Sequence, residues 1–140
     1  MTDADFHTLR AGACALLGAT CNSQGQADEL LVVDGIGIGV HHDRVSGGVW
    51  CYADLGPVHP HQRLSIYERL LVQNQVDWTS HRGRYGLEPA TGHAVYTITL
   101  DKSETLQAQA LADCIRHCAI QAARLQVDRP GSDRKGDAAM

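Results

Sequence analysis

The sequence predicts an α+β domain, an antiparallel five-stranded twisted sheet with helices packed on it, in the order α-β-β-β-α-β-β-α. Three observations carry this. Apolar residues recur at helical spacing near both ends of the chain and once in its middle. Between those stretches they alternate with polar or small residues at strand spacing. Clusters of Gly, Pro, Asn and Asp punctuate the boundaries.

The first helix is expected over residues 3–19. Thr2 or Asp3 can cap it, Asp5 suits the positive end of its dipole, and Phe6, Leu9, Ala13, Leu16 and Leu17 form one stripe. Gly18 weakens the helix, and Asn22-Ser23-Gln24-Gly25 breaks the chain. Residues 29–34 read as a strand, Asp34-Gly35 as a tight hairpin turn, and Ile36, Ile38 and Val40 as one face of the next strand. Gly35, Gly37 and Gly39 lack the third glycine and the following helix of a phosphate loop. Glycine there leaves room for something lying over the strand, or for a bend. After a turn over 42–48, a third strand over 49–55 points Val49, Cys51, Ala53 and Leu55 one way and Trp50, Tyr52 and Asp54 the other.

Gly56-Pro57 and His59-Pro60 end that strand, and Pro60 suits a helix start. Leu64, Tyr67, Leu70, Leu71 and Asn74 carry the middle helix to about Val76. Residues 83–87 and 93–100 form a hairpin across Pro89-Ala90-Thr91-Gly92, with Tyr96, Ile98 and Leu100 on one face. The last helix is expected over 103–127, capped by Ser103, with Leu111, Cys114, Ile115, Cys118, Ala122 and Leu125 as its stripe. Residues 1–127 make a single domain, and the Pro-, Gly- and Asp-bearing residues 128–140 a disordered tail.

Composition narrows function. The 140 residues carry a net charge of −4, and no Lys/Arg cluster precedes position 129, so no nucleic-acid partner is expected. No run of 18 apolar residues exists, and Met1-Thr2-Asp3-Ala4-Asp5 is acidic where a signal peptide needs positive charge. No membrane partner is expected, and the expected location is the cytoplasm. Five cysteines without regular spacing form no disulfide framework and are expected reduced.

Catalytic motifs are missing: there is no G-x-S-x-G elbow, P-loop or H-E-x-x-H, and no visible acid/base pair. The sharpest chemical alternative is a metal- or thiol-dependent site at Cys114, His117 and Cys118, which share one side of a helix. Two of the three fall on the apolar stripe, where cysteine behaves as a small core residue, and no fourth ligand is apparent. His41 and His42 point to opposite faces, and His59 and His61 flank a helix start, so no metal ligand and no cofactor are assigned. Trp50 and Trp78 are singled out for binding, because tryptophan is enriched in interface hot spots. For Trp50, partial burial is an equal alternative.

Three segments resemble a known family. Leu55-Gly56-Pro57-Val58 resembles a strand exit before a middle helix. Tyr67-Glu68-Arg69-Leu70-Leu71-Val72-Gln73-Asn74 resembles a helix ending in a Leu-Leu pair and an Asn. Tyr85-Gly86-Leu87-Glu88-Pro89-Ala90-Thr91-Gly92, followed by Val95-Tyr96-Thr97-Ile98, resembles a second hairpin. Together, over residues 3–127, they resemble the class I type III secretion chaperones of the Tir chaperone (CesT-like) family. The chain departs from it in carrying Asp77, Trp78 and His81 in the helix-to-hairpin linker.

The resemblance implies a bacterial cytoplasmic homodimer with no enzymatic activity and a role in virulence. It would hold the N-terminal segment of a secreted effector, keep that segment soluble and export-competent, and deliver it to the secretion apparatus, whose ATPase is a further partner. Leu31, Val33, Ile38, Val40, Val49 and Cys51 are the expected effector-binding lining. Leu64, Tyr67, Leu71, Trp78 and Tyr85 are the expected dimer interface. A regulator or adaptor that never meets an exported protein is the alternative on the same scaffold.

Overall fold

A computed structural model describes residues 2–18, 21–23, 30–43, 45–77, 83–100 and 107–125. Helix α1 (Asp3–Leu17) opens with a capping box, in which Thr2 Oγ1 accepts from the Asp5 N–H and Asp5 Oδ2 accepts from the Thr2 N–H, both at 3.1 Å. It buries Phe6, Leu9, Ala13 and Leu17, whereas Leu16, placed on that stripe from spacing, points outward. Gly18, at a φ of 69°, ends the helix two residues earlier than the spacing suggests.

Among the described residues six strands form one antiparallel sheet: β1 (Cys21–Ser23), β2 (Leu30–Val33), β3 (Ile36–His42), β4 (Val49–Pro57), β5 (Arg84–Leu87) and β6 (His93–Leu100). Their spatial order is β1-β2-β3-β4-β6-β5. The five expected strands are all present, and the addition is the three-residue edge strand β1, which pairs with β2 and overlaps, at Asn22 and Ser23, the stretch read from sequence as a break. Asp34 and Gly35 both have positive φ, 51° and 82°, which is the demand of the two-residue turn joining β2 to β3.

Helix α2 (Arg63–Asp77), entered through a short 3-10 turn at Pro60–Gln62, packs against β5 at the sheet's end. Helix α3 (Ala108–Arg124) lies across β3, β4 and β6 and packs along α1. It starts at Ala108, with Gln107 extended in the cap position; the start expected at Ser103 lies outside the described residues. Its stripe Leu111, Cys114, Ile115, Cys118, Ala122 and Leu125 is buried as spaced. The core is therefore one layer between the sheet and the pair α1 and α3. Val49, Cys51, Ala53 and Leu55 of β4 and Tyr96, Ile98 and Leu100 of β6 form its floor. The other sheet face carries half-buried His41, Trp50 and Tyr52. The expected tail, 128–140, lies outside the described residues.

Candidate functional site

The six residues expected to line an effector site are core residues instead. Leu31, Val33, Ile38, Val40, Val49 and Cys51 are at most 2 % exposed, sealed beneath the helices. Alternation sorted them onto one face correctly, but the covered face is theirs. Of the six, Leu31 also reaches the wall of a groove. That groove, about 360 Å³, runs along α1 and is lined by His7, Arg10, Ala11, Cys14, Ala15 and Leu31. Arg10 Nη1 is buried there without a hydrogen-bond partner among the described residues, so a carbonyl or carboxylate entering the groove would relieve a desolvated donor.

The expected dimer residues divide. On α2, Leu64 is 83 % exposed, Leu71 69 %, Val72 55 % and Val76 64 %, an apolar arc on the side away from buried Ile66 and Leu70. Tyr67 and Leu71 continue the arc into a hollow of about 320 Å³ shared with Leu70, Asn74, Tyr85, Gly86 and Leu87. Tyr85 itself faces inward: its ring is buried against Tyr96, and its hydroxyl donates to Gln121 Oε1 at 2.7 Å. Its side chain is thus a core anchor rather than an interface contact. Trp78 lies outside the described residues.

Asn74 holds these parts together. Its Oδ1 accepts from the Tyr85 N–H at 2.7 Å, and its Nδ2 donates to the Tyr85 carbonyl at 2.9 Å. Tyr85 pairs with Tyr96 in register, so its outward main-chain groups meet an amide side chain where a further strand would lie.

The thiols are packed, not arrayed for chemistry. Cys51, Cys114 and Cys118 are all buried, and the Cys114 thiol donates to Cys51 Sγ at 3.3 Å. Hydrogen bonding with Cys114 and with Cys118, and then burial, push the Cys51 thiol well above its ordinary range. The Cys114 hydrogen bond and burial push Cys118 the same way. His117 shares a 2.9 Å hydrogen bond with the Tyr96 hydroxyl. Among the described residues no three His, Cys, Asp or Glu side chains stand where one metal ion could bridge them. His41 and His42 do take opposite faces: His41 stacks on Trp50 and His42 on Phe6.

A thiolate is the reactive form, so these three cysteines should resist a water-soluble disulfide reagent in the folded protein. No more than the remaining two of the five thiols should titrate before denaturant is added, and all five after. Three or more fast-reacting thiols in the native state would contradict the packing. The sign of the pH effect follows from the raised thiols. Stability is fully present below the ordinary thiol range and falls as pH rises through it, because only the unfolded chain ionises there.

No family model matches the chain, and no curated protein matches it. Solved structures do. A chain of the structure of the HopA1-SchA chaperone-effector complex matches with a TM-score of 0.59 at 8 % identity, over 91 % of this chain and 99 % of that one. A chain of the crystal structure of the ExsC-ExsE complex matches with a TM-score of 0.58 at 16 % identity, over 90 % of this chain and 97 % of that one. The likeness is one of fold: this chain shares the fold of a chain in each of these two complexes over nine-tenths of its length.

Proposed function

We propose that this protein is a type III secretion chaperone of the Tir chaperone (CesT-like) kind. It binds the N-terminal segment of a secreted effector in the bacterial cytoplasm, keeps it soluble and export-competent, and performs no catalysis. The observation that carries this reading is the fold match over nine-tenths of the chain to a chaperone-effector complex. Two surfaces support it. The α1 groove, apolar with one unpartnered guanidinium nitrogen of Arg10, suits side chains of an extended peptide and one of its carbonyl or carboxyl groups. The apolar arc of α2 suits a second copy of the chain. Among the described residues no helix is long and apolar enough to cross a membrane.

The deciding experiment is a pull-down from the native host with the untagged partner identified and mapped. Recovery of one exported protein through its N-terminal region supports the reading. A stable complex with a protein that is never exported would replace it with the adaptor reading. With that client segment in hand, Ala11→Trp should fill the groove and weaken binding by about tenfold or more, while the dimer and the melting temperature stay unchanged. Unaltered client affinity in Ala11→Trp, measured by calorimetry, would move the client elsewhere.

A further inference from the structure

The sheet face turned away from α1 and α3 carries a feature that neither groove uses. His41 on β3 stacks on Trp50 of β4 at 4.7 Å between centroids and 20° between planes. It also stacks on Tyr52 at 5.6 Å and 17°, and Trp50 and Tyr52 are 5.5 Å apart. The third partner in this arrangement is a missing side chain. Gly39 pairs with Tyr52 across the ladder, and a Cβ on Gly39 would fall inside the Tyr52 ring. The ring therefore lies over the β3 backbone, and the three half-buried side chains make an aromatic floor.

A hollow of about 360 Å³ stands on that floor, walled by Asp54, Glu88, Thr91, Val95 and Thr97. Both carboxylates are held in place. Asp54 accepts from the Gly56 N–H at 2.8 Å and contacts His93 Nδ1 at 2.9 Å, where β4 shifts register against β6. Glu88 Oε1 accepts from the Ala90 N–H at 3.0 Å in the β5–β6 turn. Among the described residues no Lys or Arg lines the hollow; Arg84 stands beside Thr97 by register but outside the lining. Aromatic faces and two oriented carboxylates around one cavity complement a cation.

We propose that this hollow binds an arginine side chain of a partner polypeptide. The guanidinium plane stacks on Trp50 and Tyr52, and its N–H groups reach Asp54 and Glu88. A flat cation uses a flat floor and two separated acceptors together, whereas a lysine ammonium is a point charge with no plane to stack. The site lies on the sheet face opposite the α1 groove, so it stands or falls independently of the effector-binding reading.

The test is an amide NMR titration of the full chain with capped Gly-Arg-Gly, against the Gly-citrulline-Gly and Gly-Lys-Gly peptides. The arginine peptide should shift Trp50, Tyr52, Asp54 and Val95 saturably, and the citrulline peptide should bind about tenfold more weakly. Glu88→Gln, on an exposed turn, should weaken the arginine peptide several-fold with the rest of the spectrum unchanged, and Asp54→Asn should weaken it further. Equal binding of citrulline, equal binding of lysine, shifts mapping to another surface, or an unaffected Glu88→Gln protein would each overturn the assignment.

Discussion

If α2 forms the proposed two-fold interface, light scattering at micromolar concentration should give about 30 kDa for the wild-type protein and the 15.1 kDa chain mass for Leu71→Glu. The reason is the apolar arc of α2. Leu64, Leu71, Val72 and Val76 are all more than half exposed, although the same helix buries Ile66 and Leu70 against the rest of the chain. An amphipathic helix needs one apolar side to pack on its own domain; a second apolar side is unexplained until something covers it. In a two-fold dimer one substitution enters the interface twice, so Leu71→Glu places two carboxylates in an apolar contact. A loss of about 100-fold or more in association follows. Because Leu71 is exposed in the single chain, the monomer's own stability should change little. Leu64→Glu, at the far end of the same arc, should act alike. A wild-type protein that is already monomeric at these concentrations, or a Leu71→Glu protein that remains dimeric with an unchanged mass, would remove α2 from the interface.

The strand and helix faces were legible because they depend on local period alone. Val49, Cys51, Ala53 and Leu55 share a face for the same geometric reason in any sheet, and Leu111 to Leu125 share one in any helix. The Asp34-Gly35 turn was legible because two successive positive φ angles need those residue types. Which face of the sheet the helices cover is a different kind of fact. It depends on where α1 and α3 dock, and a period of two gives both faces the same pattern. That is why Leu31 to Cys51 were assigned to a client and belong to the core. Tyr85 was misplaced for a related reason, since the acceptor for its hydroxyl, Gln121, is 36 residues away. The space over β3 was half legible: Gly39 marked a close approach, but only the register against β4 names Tyr52 as the side chain that fills it. The edge strand β1 is three residues long, too short for alternation to register at all.

Asn74→Leu should cost about 2–4 kcal/mol of stability and lower the melting temperature by roughly 6–15 °C. Leucine keeps the branching of asparagine with two bulkier methyl groups in place of the amide, so it removes both hydrogen bonds and also crowds the contact. Without the amide, the Tyr85 N–H and C=O lose the partners they hold at 2.7 and 2.9 Å in a part-buried contact. Orphaned main-chain groups are costly because the desolvation penalty remains after the bond is gone. Asn74→Asp should be nearly as damaging: it keeps the acceptor for the N–H but sets a carboxylate against the carbonyl oxygen. Tyr85→Phe is the informative contrast. It removes the 2.7 Å bond to Gln121 but leaves the Asn74 pairing intact, so it should cost only about 1–2 kcal/mol. Amide exchange separates the two effects, because the Tyr85 N–H should exchange quickly in Asn74→Leu and stay protected in Tyr85→Phe. The consequence for assembly follows from the same contact. Asn74 clamps α2 to β5, and α2 carries the arc that includes Leu71, so the Asn74→Leu protein should also dimerise more weakly. A protected Tyr85 amide and an unchanged melting temperature in Asn74→Leu would mean that the edge of β5 is closed by something other than this side chain.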